Sequence, residues 1–136
     1  MANIVDSIIL TLRADPALIA AVGASSIRED IEAGDYPALC VEELDGPRDG
    51  LSRGGRNVQI LFTARVAPEE RSTLKTIQDR LADLFQDRWG DTVGTGADTI
   101  RVVASEMAGG GEAGIGKPAD GVGWILKETY SFLIPS

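Results

Sequence analysis

One glycine-rich segment has the residue spacing of a phosphate-binding loop. Residues 111–117 read G-x-x-x-x-G-K, a pattern in which backbone N–H groups and a lysine surround phosphate. Pro118 occupies the position where such loops have the Ser or Thr that binds Mg²⁺. Residues 119–123 contain too much glycine to begin a helix. Because phosphate binding depends on a helix N-terminus, we interpret the segment as a glycine-rich hairpin loop.

Carboxylates are concentrated at two places. They are Glu29, Asp30, Glu32 and Asp35 in the first cluster, and Glu42, Glu43 and Asp45 in the second. Paired carboxylates can bind Mg²⁺ or Ca²⁺ or transfer protons. Neither spacing matches a calcium-binding loop, so we interpret both clusters as solvated edges or subunit contacts.

The chain contains one cysteine and no histidine. Without histidine there is no Ser-His-Asp or Cys-His nucleophile and no histidine-ligated zinc. Cys40 lies between Leu39 and Val41, which predicts a small buried strand residue. We predict no catalytic residue, no metal ligand and no cofactor.

Arg48, Arg53 and Arg56 lie within nine positions of one Gly-rich loop, in a chain whose net charge is −8. This net charge argues against a protein that wraps nucleic acid through phosphate contacts. The acidic residues are spread over both halves of the chain. We favour salt bridges from these arginines to an acidic neighbouring subunit over contacts with phosphate. Trp89 is interpreted as either a lid over the core or an interface anchor.

The apolar periodicity predicts helices and strands along the whole chain. The predicted helices cover residues 3–13, 16–22 and 68 to about 85 or 88, and the predicted strands cover 27–31, 38–44, 56–66, 99–107 and 124–134. Asp15 and Pro16 mark a helix restart, and Gly23 marks a helix end. Residues 89–97 are predicted to be a loop.

Residues 1–136 are predicted to form a single α+β domain with two layers. We expect a mainly antiparallel sheet of about four strands, with two helical segments packed on one face. The strand over 56–66 alternates apolar and polar residues, so its second face should be solvent-exposed. Segments 45–57 and 108–123 are predicted to be flexible loops.

The N-terminus lacks the basic start of a signal peptide, and no apolar segment is long enough to span a bilayer. We therefore expect a cytoplasmic protein, or a component of an assembly built in a cytoplasm.

Five segments in a fixed order carry a family resemblance. They are an N-terminal helix running into DPALIAAVG at 15–23, PALCV at 37–41, the strand 58–66, the amphipathic helix 73–85 and a last strand pair. In this order the chain resembles the tail terminator family of long-tailed bacteriophages, also called tail completion or head–tail joining proteins. The family also occurs in prophages and gene transfer agents.

The resemblance implies a structural virion protein and not an enzyme. It implies a homo-hexameric ring at the head-proximal end of the tail tube, which stops tube polymerisation and joins the tail to a head-side connector or stopper. DNA would pass through the lumen without specific binding, and no membrane or cofactor is implied. We expect Arg48, Arg53 and Arg56 to contact Glu29, Asp30 and Glu32 of a neighbouring subunit, because rings need two complementary patches.

Three alternatives remain open at this point. The first is another neck or tail component, such as a stopper or a tube subunit. The second is a small-molecule-binding or hydrolytic α+β enzyme, which would need a concave site with convergent polar groups. The third is a free-standing regulatory or binding module.

Overall fold

The computed structural model describes residues 4–29, 37–44, 56–86, 88–94, 100–109, 115–117 and 123–134. The helices in these residues are α1 (Ile4–Arg13), α2 (Pro16–Val22) and α3 (Arg71–Phe85), with 3₁₀ turns at Ala24–Ser26 and Pro68–Glu70. The strands are β1 (Ile27–Arg28), β2 (Ala38–Leu44), β3 (Arg56–Val66), β4 (Arg88–Val93), β5 (Ile100–Gly109), β6 (Ile115–Gly116) and β7 (Trp124–Ile134).

The predicted helix restart at Asp15 separates α1 from α2. Asp15 has an extended backbone, with φ −89° and ψ 113°, because a residue that precedes proline disfavours the helical region. Gly23 ends α2 at φ 82°, and its N–H donates to the carbonyl of Ile19 at 2.8 Å. The break allows α1 to pack on β1, β2 and β4 while α2 packs on α3.

The strands form one sheet in the order β1-β2-β3-β7-β5-β4, with β6 also paired to β7. Among the described pairs, β1–β2 is parallel and the others are antiparallel. β5 and β6 occupy the same edge of β7, where Gly109 lies opposite Thr129 and Ile115 lies opposite Leu126. The predicted α+β fold with a mainly antiparallel sheet is confirmed.

The core lies between the helices and one face of the sheet, and its aromatic part lies between α3 and the strands β3 and β7. Its aromatic centre joins the two layers, since Phe85 of α3 stacks on Phe62 of β3 with ring centroids 5.5 Å apart. The ring of Phe85 also meets Phe132 edge-on at 5.3 Å and Tyr130 at 6.1 Å. The apolar side chains of β3 on this face are at most 5% exposed, which confirms the predicted alternation.

The second face of β3 differs from the expectation that it is open to solvent. Thr63 and Arg65 lie on that face and are only 8% and 6% exposed. Their partners on β2, Cys40 and Ala38, are 4% and 0% exposed, so the predicted burial of Cys40 is confirmed. A polar side chain can be covered by other parts of the protein, and the pattern of residue types does not show whether it is. The alternation therefore could not reveal that this end of the second face is buried.

Two predicted loops contain strands. Residues 89–97 were predicted to be a loop, but β4 (Arg88–Val93) pairs with β5. β5 runs to Gly109, and β6 lies inside the segment 108–123 that was predicted to be a loop. Among the described residues the sheet therefore has seven strands, where about four were expected. Gly90 and Asp91 are poor strand formers, and the pairing with β5 supplies the order that their propensities lack.

Candidate interaction surfaces

The three described residues that were predicted to form subunit contacts lie at different places in or beside the sheet. Glu29 follows β1 and is exposed, Arg56 begins β3 opposite Ile134, and Trp89 lies in β4 opposite Ala104. β1 and β4 form opposite edges of the sheet, so Glu29 and Trp89 do not belong to one patch of a single subunit. The remaining predicted contacts lie outside the described residues: Arg48, Arg53, Asp30 and Glu32.

The segment that resembles a phosphate-binding loop has a different local structure. Gly116 is in β6 and pairs with Ile125 of β7. Lys117 therefore follows a strand, whereas a phosphate-binding lysine precedes a helix. The described residues 115–117 pair with β7, which supports the interpretation of this segment as part of a hairpin.

Lys117 is instead part of a cationic cluster that the sequence analysis did not identify. Its Nζ lies 4.2 Å from the ring centroid of Trp124, and the guanidinium carbon of Arg71 lies 4.9 Å from the same centroid. Both cations are exposed, and Trp124 is half-buried. We call Arg71, Lys117 and Trp124 the Trp124 patch. Each cation is within the range of a cation–π interaction.

The indole of Trp124 is held in place by the fold. Its Nε1 donates a hydrogen bond to the carbonyl of Pro68 at 3.1 Å, in the turn that leads into α3. Gly123 precedes it with φ +74°, and a Cβ at Gly123 would lie 2.2 Å from the carbonyl oxygen of Val66. Only glycine fits this close approach to the end of β3. The hydrogen bond to Pro68 holds the indole against the turn that leads into α3.

A buried carboxyl lies on the core face of the sheet, beneath α3. Glu128 is 1% exposed and lies opposite Phe62 on β3. Its Oε1 accepts a hydrogen bond from Nε2 of Gln78 at 2.6 Å, and its Oε2 has no hydrogen-bond partner. The hydroxyl of Tyr130 lies beside the carboxyl without reaching hydrogen-bond geometry.

Burial is the main cause that raises the pKa of Glu128 above its ordinary value of 4.5. Three neighbours lower that pKa: Gln78 through the hydrogen bond that it donates, the Tyr130 hydroxyl through its proximity, and Lys75 through its positive charge. The negative charge of Asp79 raises it. Burial also raises the pKa of Tyr130, and the negative charge of Glu128 adds to this effect. Ionisation of this carboxyl therefore costs free energy in the folded state, where α3 packs on the sheet and excludes water from it.

A bidentate ion pair joins α2 to α3. Arg80 donates from Nε and Nη2 to the two carboxylate oxygens of Asp15, each at 3.0 Å. Asp15 is 8% exposed, and Arg80 also reaches Asp83 at 3.1 Å. The hydrogen bonds that Arg80 donates to Asp15 are the main cause that raises the pKa of Arg80. This pair positions the short helix α2, whose own side-chain N-cap makes no hydrogen bond.

Within the part of the chain that the structure describes, no group of three or more His, Cys, Asp or Glu side chains could hold a metal ion. None of the helices in these same ranges combines the length and apolar character needed to cross a membrane.

The arrangement of helices and strands matches a chain in a solved structure of a gene transfer agent particle. The chain shares the fold of a gene transfer agent virion protein. The match covers 93% of this chain and 90% of that one, with a TM-score of 0.63 and 16% sequence identity, and the particle is described as the virion of a native gene transfer agent. No family model and no curated protein sequence matches this chain. The likeness therefore establishes the fold over nearly the full length of both chains.

Proposed function

We propose that this protein is a structural component of a phage-like particle and acts as its tail terminator. The observation that carries the proposal is the shared fold with a chain of the gene transfer agent virion, over 93% of this chain and 90% of that one. The order of elements in the sequence supports it separately, because that order resembles the tail terminator family.

In this role the chain forms a hexameric ring on the head-proximal end of the tail tube. Its partners are further copies of itself, the tube protein and a head-side connector or stopper. The net charge of −8 suits a lumen through which DNA moves, because a surface of like charge does not retain phosphates. The role requires no catalytic residue, cofactor or membrane, and it places the protein in a particle assembled in the bacterial cytoplasm.

The proposal assigns one subunit contact to the arginines near the start of β3. Arg48, Arg53 and Arg56 of one subunit face Glu29, Asp30 and Glu32 of the next, and Trp89 anchors a contact of the ring or of its partner. Reversing the charge of Arg53 and Arg56 should reduce ring assembly. A ring of unchanged mass in the R53E/R56E variant would contradict this contact.

Deletion of the gene, followed by electron microscopy of the particles, tests the role itself. Without a terminator, tube polymerisation has no stop, so we expect tubes of uncontrolled length that are not joined to heads. A stopper would give tails of normal length detached from heads, and a tube subunit would give no tubes. Either of these results would replace the proposed role, and normal joined tails would remove it. Expression of the wild-type gene in the deletion strain is the control.

A further inference from the structure

The carboxyl of Glu128 and the hydroxyl of Tyr130 lie next to each other inside the apolar core. Both residues belong to β7, and they are 1% and 0% exposed. Among the described residues, neither Oε2 of Glu128 nor the Tyr130 hydroxyl has a hydrogen-bond partner. The hydroxyl can donate to an ionised Oε2 or accept from a protonated one, but only the protonated form leaves the core without a charge.

A line of polar contacts connects this carboxyl to the exposed face of α3. Gln78 donates from Nε2 to Oε1 of Glu128 at 2.6 Å, and its own Oε1 accepts from Nζ of Lys75 at 3.3 Å. Lys75 also lies 3.3 Å from Oδ1 of Asp79, and these two side chains are 66% and 62% exposed. In the described part of the chain, the titratable groups that act on Glu128 are Lys75 and Asp79 of α3 and Tyr130 of β7, while β3 faces the carboxyl with an aromatic ring.

Of the elements around the carboxyl, α3 can move away most easily. β7 is paired along its whole length with β3, and on its other side with β5 and β6. The second half of α3 is held by the stacked ring of Phe85 and by the bidentate ion pair of Arg80. The first half, residues 71–78, is held at its start by the exposed hydrogen bond from Trp124 to the carbonyl of Pro68.

We infer that Glu128 acts as a proton-dependent latch for the first half of α3. With the carboxyl protonated, residues 71–78 stay on the sheet. With the carboxyl ionised, this half of the helix lifts more often, because water that enters beneath it hydrates the charge. The latch is a property of the folded subunit and does not depend on the proposed role in the tail.

Native-state hydrogen exchange followed by NMR measures this opening, with protection factors corrected for the intrinsic effect of pH on exchange. The amides of residues 75–78 donate to carbonyls in the first turn of α3, so they exchange when this half lifts. Between about pH 5 and pH 8 their protection factors should fall at least about fivefold in the wild type and stay constant in Glu128→Gln. Their exchange should depend only weakly on urea, as expected for a local opening.

Charges on the exposed face of α3 should set the pH at which the latch opens. Lys75→Gln removes a positive charge that favours ionisation of Glu128, so the midpoint should move to higher pH. Asp79→Asn removes a negative charge that opposes ionisation, so the midpoint should move to lower pH. Lys127→Gln is the matched control, because Lys127 is exposed and lies on the opposite face of β7, and it should leave the midpoint unchanged.

Four results would overturn the inference. The first is a set of protection factors for residues 75–78 that does not change with pH in the wild type, and the second is an equal change in Glu128→Gln. The third is a pH response with the urea dependence of global unfolding, because Glu128 would then affect overall stability without releasing α3. The fourth is a shift in the same direction for Lys75→Gln and Asp79→Asn, or an equally large shift for Lys127→Gln, because the line of contacts through Gln78 would then not set the response.

Discussion

The buried carboxyl of Glu128 makes a specific prediction about stability and pH. Glu128→Gln keeps the size of the side chain and removes its charge. Because burial raises the folded-state pKa above the unfolded value near 4.5, the folded chain retains the proton to higher pH than the unfolded chain. The stability that Glu128 contributes is therefore complete below the unfolded pKa and is lost as pH rises through the folded pKa.

The size of the effect follows from the contacts of the ionised side chain. At 1% exposure it has lost nearly all of its hydration, and it regains one hydrogen bond from Gln78 at 2.6 Å while Oε2 has none. Leaving a buried polar atom without a partner costs more when the group is charged than when it is neutral, so the ionised carboxylate is penalised more than the amide that replaces it. We expect Glu128→Gln to raise the free energy of unfolding by about 1–2 kcal/mol at pH 8 and to change it little at about pH 4.

Urea unfolding followed by circular dichroism, repeated at several pH values, measures this difference. Glu69→Gln is the matched control, because it makes the same chemical change at an exposed position and should give no such trend. A difference between Glu128→Gln and wild type that does not grow with pH would refute the reasoning, as would a variant less stable than wild type at the higher pH.

Three further substitutions test the packing that positions the surfaces, each by urea unfolding. Arg80→Met should lower the free energy of unfolding by about 1–2 kcal/mol, because it leaves the buried Asp15 carboxylate without its bidentate partner; an unchanged midpoint would contradict this role. Phe85→Ala should cost about 3–5 kcal/mol, because it removes the ring that joins α3 to the aromatic centre of the sheet; a loss below that of a typical surface substitution would show that the ring is not a packing centre. Gly123→Ala should cost about 1–3 kcal/mol, because its φ is +74° and its Cβ would collide with Val66; wild-type stability would show that the strands can separate at no cost.

The sequence identified most helices and strands because each of them carries its own signal. The alternation over 56–66 and the apolar stripe of the helix after Pro68 reflect burial on one face, and the bounds of β2, β3 and β7 match the prediction. β4 was not predicted, because its order comes from pairing with β5 and not from its composition. The fold class therefore followed from the sequence, while the number of strands did not.

The buried carboxyl and the Trp124 patch were harder to predict from the sequence than the helices and strands, because both depend on tertiary contacts. A gap in the alternation of β7 could have revealed the buried carboxyl, because Glu128 shares the parity of Leu126 and Tyr130 on the apolar face. No comparable signal marks the Trp124 patch, since its three residues come from β7, α3 and the residue after β6.

By itself, the sequence determined where the chain turns, which faces are apolar and that the protein is strongly acidic. Those properties reside in individual residues and their spacing. The tertiary structure alone decided which charges meet, because Lys117 and Arg71 are 46 positions apart in the chain and are brought to one ring by the pairing of β6 and β3 with β7.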